Sequence, residues 1–514
     1  QMQIWQDSLE FEYEFENLEQ VDPRYFELSD ENGAVPIRFY GEEDGSFDDG
    51  DYFEFFGERH SGDEDYYDEY TQENTYFLKY TDHLGARLAI ENGGIIETDP
   101  QAYSIPDAYI QELNIQKQNF IDRLGYYEEA PKEDIWFWRK IDAPDLAVIP
   151  FNIQYPYPSM IKMYNAEINI IGATHLENPS SPDHHAYVRI NSSLINEHFW
   201  YQQSKQSFVN SSPIPNDFLN HGTNNLYISL PGDTPAGDRE QVILDELKLA
   251  YWRQYKTNTD YIRFTKPQDE ENGLFQFEVE NLSSEQVSVY KKGSSYLENI
   301  QVIPFTENGN APFKAVFQDN VYSNSTEYIL VTEENKRLPK FIKPDIPSNL
   351  KNTNNSAEYV IITSQEFADN EGTILLKDTW NENGLNTKIV TVEDVFDEFN
   401  HGIRSAEAIK EFIEFAYNNW LQPRLKYVLF LGDGISDERD NSSNRSKNII
   451  PYKNIWSFKH GVMSSDNWFG CIVGDDYVSD VQIGRINVWK EEQIMPVVEK
   501  TLSYLSSENV SELW

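Results

Sequence analysis

From residue 358 onward the spacing of apolar residues changes, and this change restricts the fold more than any other feature. The segment "EYVIIT" (358–363) is a continuous apolar run, the pattern of a strand covered on both faces. "TKIVTV" (387–392), "KYVLFLGDG" (426–434) and "DVQIGRINV" (480–488) repeat it. Helical spacing lies between these runs. A helix is expected from about Phe367 to Glu382. "SAEAIKEFIEFAYNNW" opens with Ser405 as N-cap and places Ile409, Phe412, Ile413 and Ala416 on one stripe. "KEEQIMPVVEKTLSYLSS" (490–507) reads as a closing helix. Strands alternating with helices define a parallel α/β sheet with right-handed crossovers. Ligands in such sheets sit at the carboxyl ends of the strands, here Thr363–Ser364, Val392–Asp394 and Leu431–Asp437.

The preceding chain has a different period. Between residues 139 and 265 apolar and polar residues alternate strictly. Ala166, Ile168 and Ile170 share one strand face, Ala186, Val188 and Ile190 another, and Leu247, Leu249 and Tyr251 a third. Half-buried strands separated by Pro, Asn and Ser turns predict an antiparallel β-sandwich. Residues 1–138 read as β-rich, with aromatic strands around a loop in which Gly45 and Gly50 permit positive φ. Short strands continue through 266–350 and end in the Pro- and Asn-rich linker "RLPKFIKPDIPSNLKNTNNS". Four units are therefore expected: a β-rich domain (1–138), an antiparallel sandwich (139–265), a small β domain with linker (266–350) and an α/β subdomain (351–514).

Composition narrows the partners. The 514 residues carry 41 basic and 87 acidic side chains, a net charge of -46. Such a surface repels phosphate backbones, so nucleic acid is a poor partner. It offers oxygen ligands to hard cations such as calcium. No run of about 18 apolar residues is present, so no transmembrane helix is expected. The chain opens "QMQIWQ", and removal of a secretory leader is expected. One cysteine permits no internal disulfide, and the fold must rest on core burial.

Few residue patterns carry chemistry. "LGDGISDERD" lacks the third glycine of a nucleotide fingerprint and the Gly-Lys-Ser/Thr of a phosphate loop. Asp433, Asp437 and Asp440 form a candidate cation group, with loop shaping as the competing role. The acidic loop Glu42–Asp51 lacks the spacing of an EF-hand loop. His184 and His185 are neighbours on a strand, point to opposite faces and chelate one ion poorly. His460 lies eleven positions before Cys471, a Cys-His pair in principle. Cys471 itself sits in "NWFGCIVG", expected as an apolar strand, with acidic residues on both sides. Burial and negative charge raise a thiol's pKa, so a structural cysteine is expected and no catalytic residue is assigned.

The α/β segment resembles the gingipain-type cysteine peptidases, family C25. The run "AEYVIIT", "TKIVTVEDVFDEFNHGIRSAEAIKEFIEFAY", "LKYVLFLGDGISD", "IIPY" and "SSDNWFGCIVGDDYVSDVQIGRINV" carries the resemblance. Its most specific piece is SDxxxG…GxDxxxxVxIGR, Ser465 to Arg485. Upstream, "DPRYFELSDENGAVPIRFYGEEDGSFDDGDYFEFFGE", "HHAYVRIN" and "LDELKLAYWRQY" are similar to the β regions of large secreted members. The resemblance implies two caspase-like subdomains. The first is a scaffold, and the second holds the Cys/His dyad, here expected beyond residue 514. It also implies bound calcium, protein or peptide substrates, export by the type IX secretion system and a place outside the cell or on the outer-membrane surface. Partners would then include components of that system or other surface proteins. Two alternatives stay open: a sortase-type C25 component of the type IX system, and a non-catalytic surface protein that binds through its sandwich, with Trp200 and Tyr201 as candidate stacking residues.

Overall fold

The computed structural model describes residues 2–5, 20–62, 67–96, 104–121, 136–177, 180–305, 313–435, 437–439, 447–457, 460–474 and 476–506. Two three-stranded antiparallel sheets begin the chain. One orders Met2–Trp5, Tyr52–Phe55 and Arg38–Tyr40, the other Gly33–Val35, Phe26–Asp30 and Phe77–Tyr80. Phe26, Phe39, Phe47, Phe53 and Phe55 fill the space they share. In the acidic loop Gly45 and Gly50 take φ of 81° and 90°. Asp44 accepts from Ser46 N and Asp51 from Asp48 N, so these carboxylates shape their own turn.

The sandwich follows from the period-2 pattern. A four-stranded antiparallel sheet (Asp145–Ile153, Gly222–Leu230, His184–Ile190, Ser193–Trp200) faces a six-stranded one built around Gln241–Arg253 and Met163–Gly172. In Asp145–Ile153 every second residue is buried: Ala147, Ile149, Phe151 and Ile153. They meet Ile168, Ile170, Leu247, Leu249 and Tyr251 of the other sheet in one core. Strand Tyr109–Gln116, inside the first expected unit, pairs antiparallel with Gln241–Arg253. Ala89–Asn92 likewise pairs in parallel with Ser295–Glu298 of the small β domain. The β regions thus interlock across the boundaries drawn from sequence at 138 and 265. Non-local pairing of this kind has no local sequence signal.

The parallel sheet has strands β1 (Tyr359–Thr363), β2 (Thr387–Thr391), β3 (Tyr427–Leu431) and β6 (Gln482–Ile486), in the order β2-β1-β3-β6. Strands β4 (Lys453–Ser457) and β5 (Gly461–Ser465) form a separate antiparallel hairpin. The helices are α1 (Glu371–Glu382), α2 (Val392–Asn400), α3 (Ala406–Asn419) and α4 (Ile494–Ser506). Alternate residues of β1 feed opposite layers. Val360 and Ile362 join Val395, Ile409, Phe412 and Ile413 on one side, while Ile361 joins Leu376, Ile494 and Val498 on the other. This two-sided burial is why the strand reads as an unbroken apolar run.

Two local readings are corrected. The helix expected from Phe367 is broken: one turn, Gln365–Ala368, ends before Asn370, whose side chain caps α1 by accepting from Gly372 N. Val392–Asp394, expected as a strand end, is the first turn of α2. Thr391 Oγ1 accepts from Asp394 N, and Glu393 and Asp394 supply the negative charge favoured at a helix N-terminus. The Thr-x-x-Asp spacing in "TVED" was the available signal.

Candidate functional site

At the carboxyl ends of β3 and β6, Gly432 N donates to Ile486 O and Asp433 N to Val488 O. Thr363 Oγ1 donates to Leu431 O at 2.7 Å, tying β1 to β3. The glycines of "LGDG" serve packing. A Cβ on Gly432 would lie 2.7 Å from Ile449 Cγ2, and one on Gly434 2.6 Å from Ile450 O. The carbonyl of Asp433 accepts from Ile449 N and Ile450 N. Ile449 and Ile450 therefore lie directly on this turn.

Arg485 of β6 organises the same region. Its Nε and Nη2 donate to Asp466 Oδ2 and Oδ1 at 2.8 and 2.7 Å, a bidentate pair. Its Nη1 donates to Gly432 O and Ile450 O at 3.1 and 3.0 Å. The guanidinium also lies over the Phe430 ring. Gly470 admits Val481, since a Cβ there would be 2.3 Å from Val481 O. Asp480 Oδ2 accepts from Ile472 N and Val473 N, and Asp476 Oδ1 from Val478 N. The SDxxxG…VxIGR pattern is thus a set of loop fastenings.

A second node escaped the sequence reading. Arg404, just before α3, donates to Glu438 Oε2, Asn448 Oδ1 and Ile449 O. Asn448 Nδ2 also donates to Glu438 Oε2 at 2.6 Å. Burial pushes the Glu438 carboxyl upward in pKa, with Arg404 opposing. No motif spacing marks a pair 34 residues apart.

Cys471 requires a correction. It lies just after the 3₁₀ turn Asn467–Gly470, not on a strand, and it is only partly buried. Its thiol donates to Asn467 O and its sulfur accepts from Asn467 Nδ2, both at 3.3 Å. Desolvation raises the thiol's pKa first; Lys410 opposes this, and Asp476 and Asp480 add to it. His460 is exposed at the β4–β5 turn. A thiol of this kind should alkylate no faster at pH 7 than a free cysteine. Cys471→Ala should change stability by less than about 1 kcal/mol. Timed alkylation read by intact mass, with a melting curve of the variant, checks both.

Of the candidate cation ligands, Asp440 lies outside the described residues. Asp433 accepts at Oδ1 from Gly434 N, and Asp437 is buried. Among the described residues, no group of three His, Cys, Asp or Glu side chains is placed to hold a metal ion. His184 and His185 are structural: they stack on Trp200 and Phe199 respectively. Trp200 is core, whereas Tyr201 is exposed.

One carboxyl on α2 is displaced from the ordinary carboxylate range. Burial, then Asp345, push Asp397 up to about 6 against the pull of Lys343. An acid whose pKa is higher in the folded chain holds its proton more tightly there. The stability it contributes is therefore present at low pH and is lost as pH rises from 3.8 through about 6. The group is only half-buried, so solvent screening reduces the effect. Asp397→Asn should raise stability by roughly 1 kcal/mol above that window and leave it unchanged below. Urea titrations on both sides of the window test this.

Residues 352–514 match the model of peptidase family C25. Gingipain R2 of Porphyromonas gingivalis is 27% identical over 156 residues, covering 30% of this chain and 18% of that protein. Gingipain R1 of the same organism is 27% identical over 156 residues, covering 30% of this chain and 13% of that protein. The crystal structure of dimeric latent PorU from Porphyromonas gingivalis has a TM-score of 0.60 at 14% identity, covering 98% of this chain and 48% of that one. This last likeness extends the shared fold through the β regions. The chain spans less than two thirds of the length of each of these relatives. Among the described residues, no helix is long and apolar enough to cross a membrane.

Proposed function

We propose that this chain is the amino-terminal portion of a secreted C25 cysteine peptidase. It supplies the β regions and the first, caspase-like subdomain, and a segment outside residues 1–514 supplies the Cys/His dyad. One observation carries this: the residues of the family pattern, Asp466 to Arg485, are engaged in holding the carboxyl-end loops. The single thiol among them faces Asn467 and carboxylates. A scaffold is what such an arrangement can provide. In the complete enzyme a thiolate paired with imidazole attacks a peptide carbonyl, the amine leaves with a proton from the imidazole, and water hydrolyses the thioester. Protein or peptide substrates, an extracellular or outer-membrane location and a calcium requirement belong to the same proposal.

Hydrolysis of an unfolded protein by the whole gene product, compared with residues 1–514 alone, tests it. The longer protein should cleave and the shorter should not, and Cys471→Ala in the longer protein should retain activity. Comparable hydrolysis by residues 1–514, or loss of activity in Cys471→Ala, overturns it. Mass analysis of the products separates a general peptidase from a sortase-type member that removes a single carboxyl-terminal signal. A binding role for the sandwich is favoured by a separate observation: Leu146, Val148, Leu194 and Phe199 of its four-stranded sheet are all exposed.

A further inference from the structure

Residues 67–76, just before strand Phe77–Tyr80, lie against the α/β unit. Tyr70 is 4% exposed and belongs to the same buried cluster as Val392, Ile409 and Ile450. Its neighbour Glu69 reaches the β4–β5 hairpin, accepting from Lys453 Nζ at 3.2 Å and Asn454 Nδ2 at 3.1 Å. Lys453 also pairs with Glu407 of α3 at 2.6 Å. The loop is shaped for this. Asp68 Oδ1 accepts from Tyr70 N and Thr71 N, a local turn that presents the Tyr70 ring. Farther along, Thr75 Oγ1 donates to Gly402 O at 3.0 Å, just beyond α2. A second side chain from the β regions, Trp136, packs against Trp456 and Val462 of the hairpin.

The hairpin runs directly into Asp466, the residue that fastens Arg485 and through it Gly432 and Ile450. We infer that residues 67–76 form a latch by which the amino-terminal β region positions the β4–β5 hairpin and, through Asp466 and Arg485, the loops at the carboxyl ends of β3 and β6. The latch is thus a positioning device. It joins the position of an upstream domain to the order of the region that faces any ligand of the parallel sheet. The inference concerns this mechanical link, and it stands or falls independently of where the catalytic thiol resides.

Amide hydrogen exchange on the full chain, read by mass spectrometry, tests the link. Tyr70→Ser should speed exchange in peptides covering 453–466 and 432–435 by about tenfold or more. Peptides from the sandwich core, 184–200, should be unchanged. Tyr70→Phe keeps the ring and should match the parent. Glu69→Gln leaves the ring in place and should speed exchange in the hairpin alone, by about threefold. It decides the matter if Tyr70→Ser does not fold. Unchanged hairpin exchange in a folded Tyr70→Ser or in Glu69→Gln overturns the inference, as does acceleration spread equally into the sandwich.

Discussion

Lys336→Ala should lower the unfolding free energy by about 3–5 kcal/mol, the usual cost of removing one partner from a buried ion pair. The Lys336 ammonium is almost fully buried against Glu54 Oε1 at 2.6 Å and Glu333 Oε1 at 2.7 Å. Glu54 is itself fully buried and accepts from Tyr290 and Tyr40 through its other oxygen. The pair joins the first aromatic sheet to the small β domain just where the linker departs. Removing the cation takes the countercharge from a fully buried carboxylate that is held among tyrosine side chains. Lys336→Met combined with Glu54→Gln should recover much of the loss, because the uncompensated charge is gone. Urea denaturation followed by tryptophan fluorescence gives the values. A single-variant loss below about 1 kcal/mol would show that the joint is hydrated and the pair unimportant.

The second large effect concerns Arg485. Arg485→Ala should destabilise the α/β unit by about 3 kcal/mol or more, because Asp466 loses its bidentate partner and the carbonyls of Gly432, Ile450 and Pro451 lose a donor. Arg485→Lys should not rescue it. One ammonium cannot span Asp466, Gly432 and Ile450, whereas the flat guanidinium does so while lying on Phe430. The loss should appear as early exposure of residues 432–466 to protease. A lysine variant as stable as the parent would mean that Arg485 acts only as a point charge.

The sequence carries the α/β layer clearly, for a physical reason. A strand buried on both faces must be apolar throughout, and a helix covering it must be apolar at every third or fourth position. Val360–Ile362 and the Ile409–Ala416 stripe meet both conditions. Strict alternation in Asp145–Ile153 and Met163–Gly172 similarly announces a sheet with one face inward. What could not be read is how the β regions interlock. The pairing of Tyr109–Gln116 with Gln241–Arg253, and the insertion of Tyr70 into the core that holds Val392, Ile409 and Ile450, join positions with no local relation. The same holds for Arg404 and Glu438. The Ser465–Arg485 pattern, which carries the likeness to family C25, holds a loop, and its residues serve geometry. The apolar neighbours of Cys471 predict a strand, but Phe469 packs inward while the chain turns at Gly470.

The proposed function requires a reacting thiol other than Cys471. A peptidyl electrophile that captures cysteine peptidases, applied to the whole gene product and followed by peptide mapping, tests this most directly. The label should fall on a cysteine outside residues 1–514, and residues 1–514 alone should remain unlabelled. Stoichiometric labelling of Cys471 would contradict it.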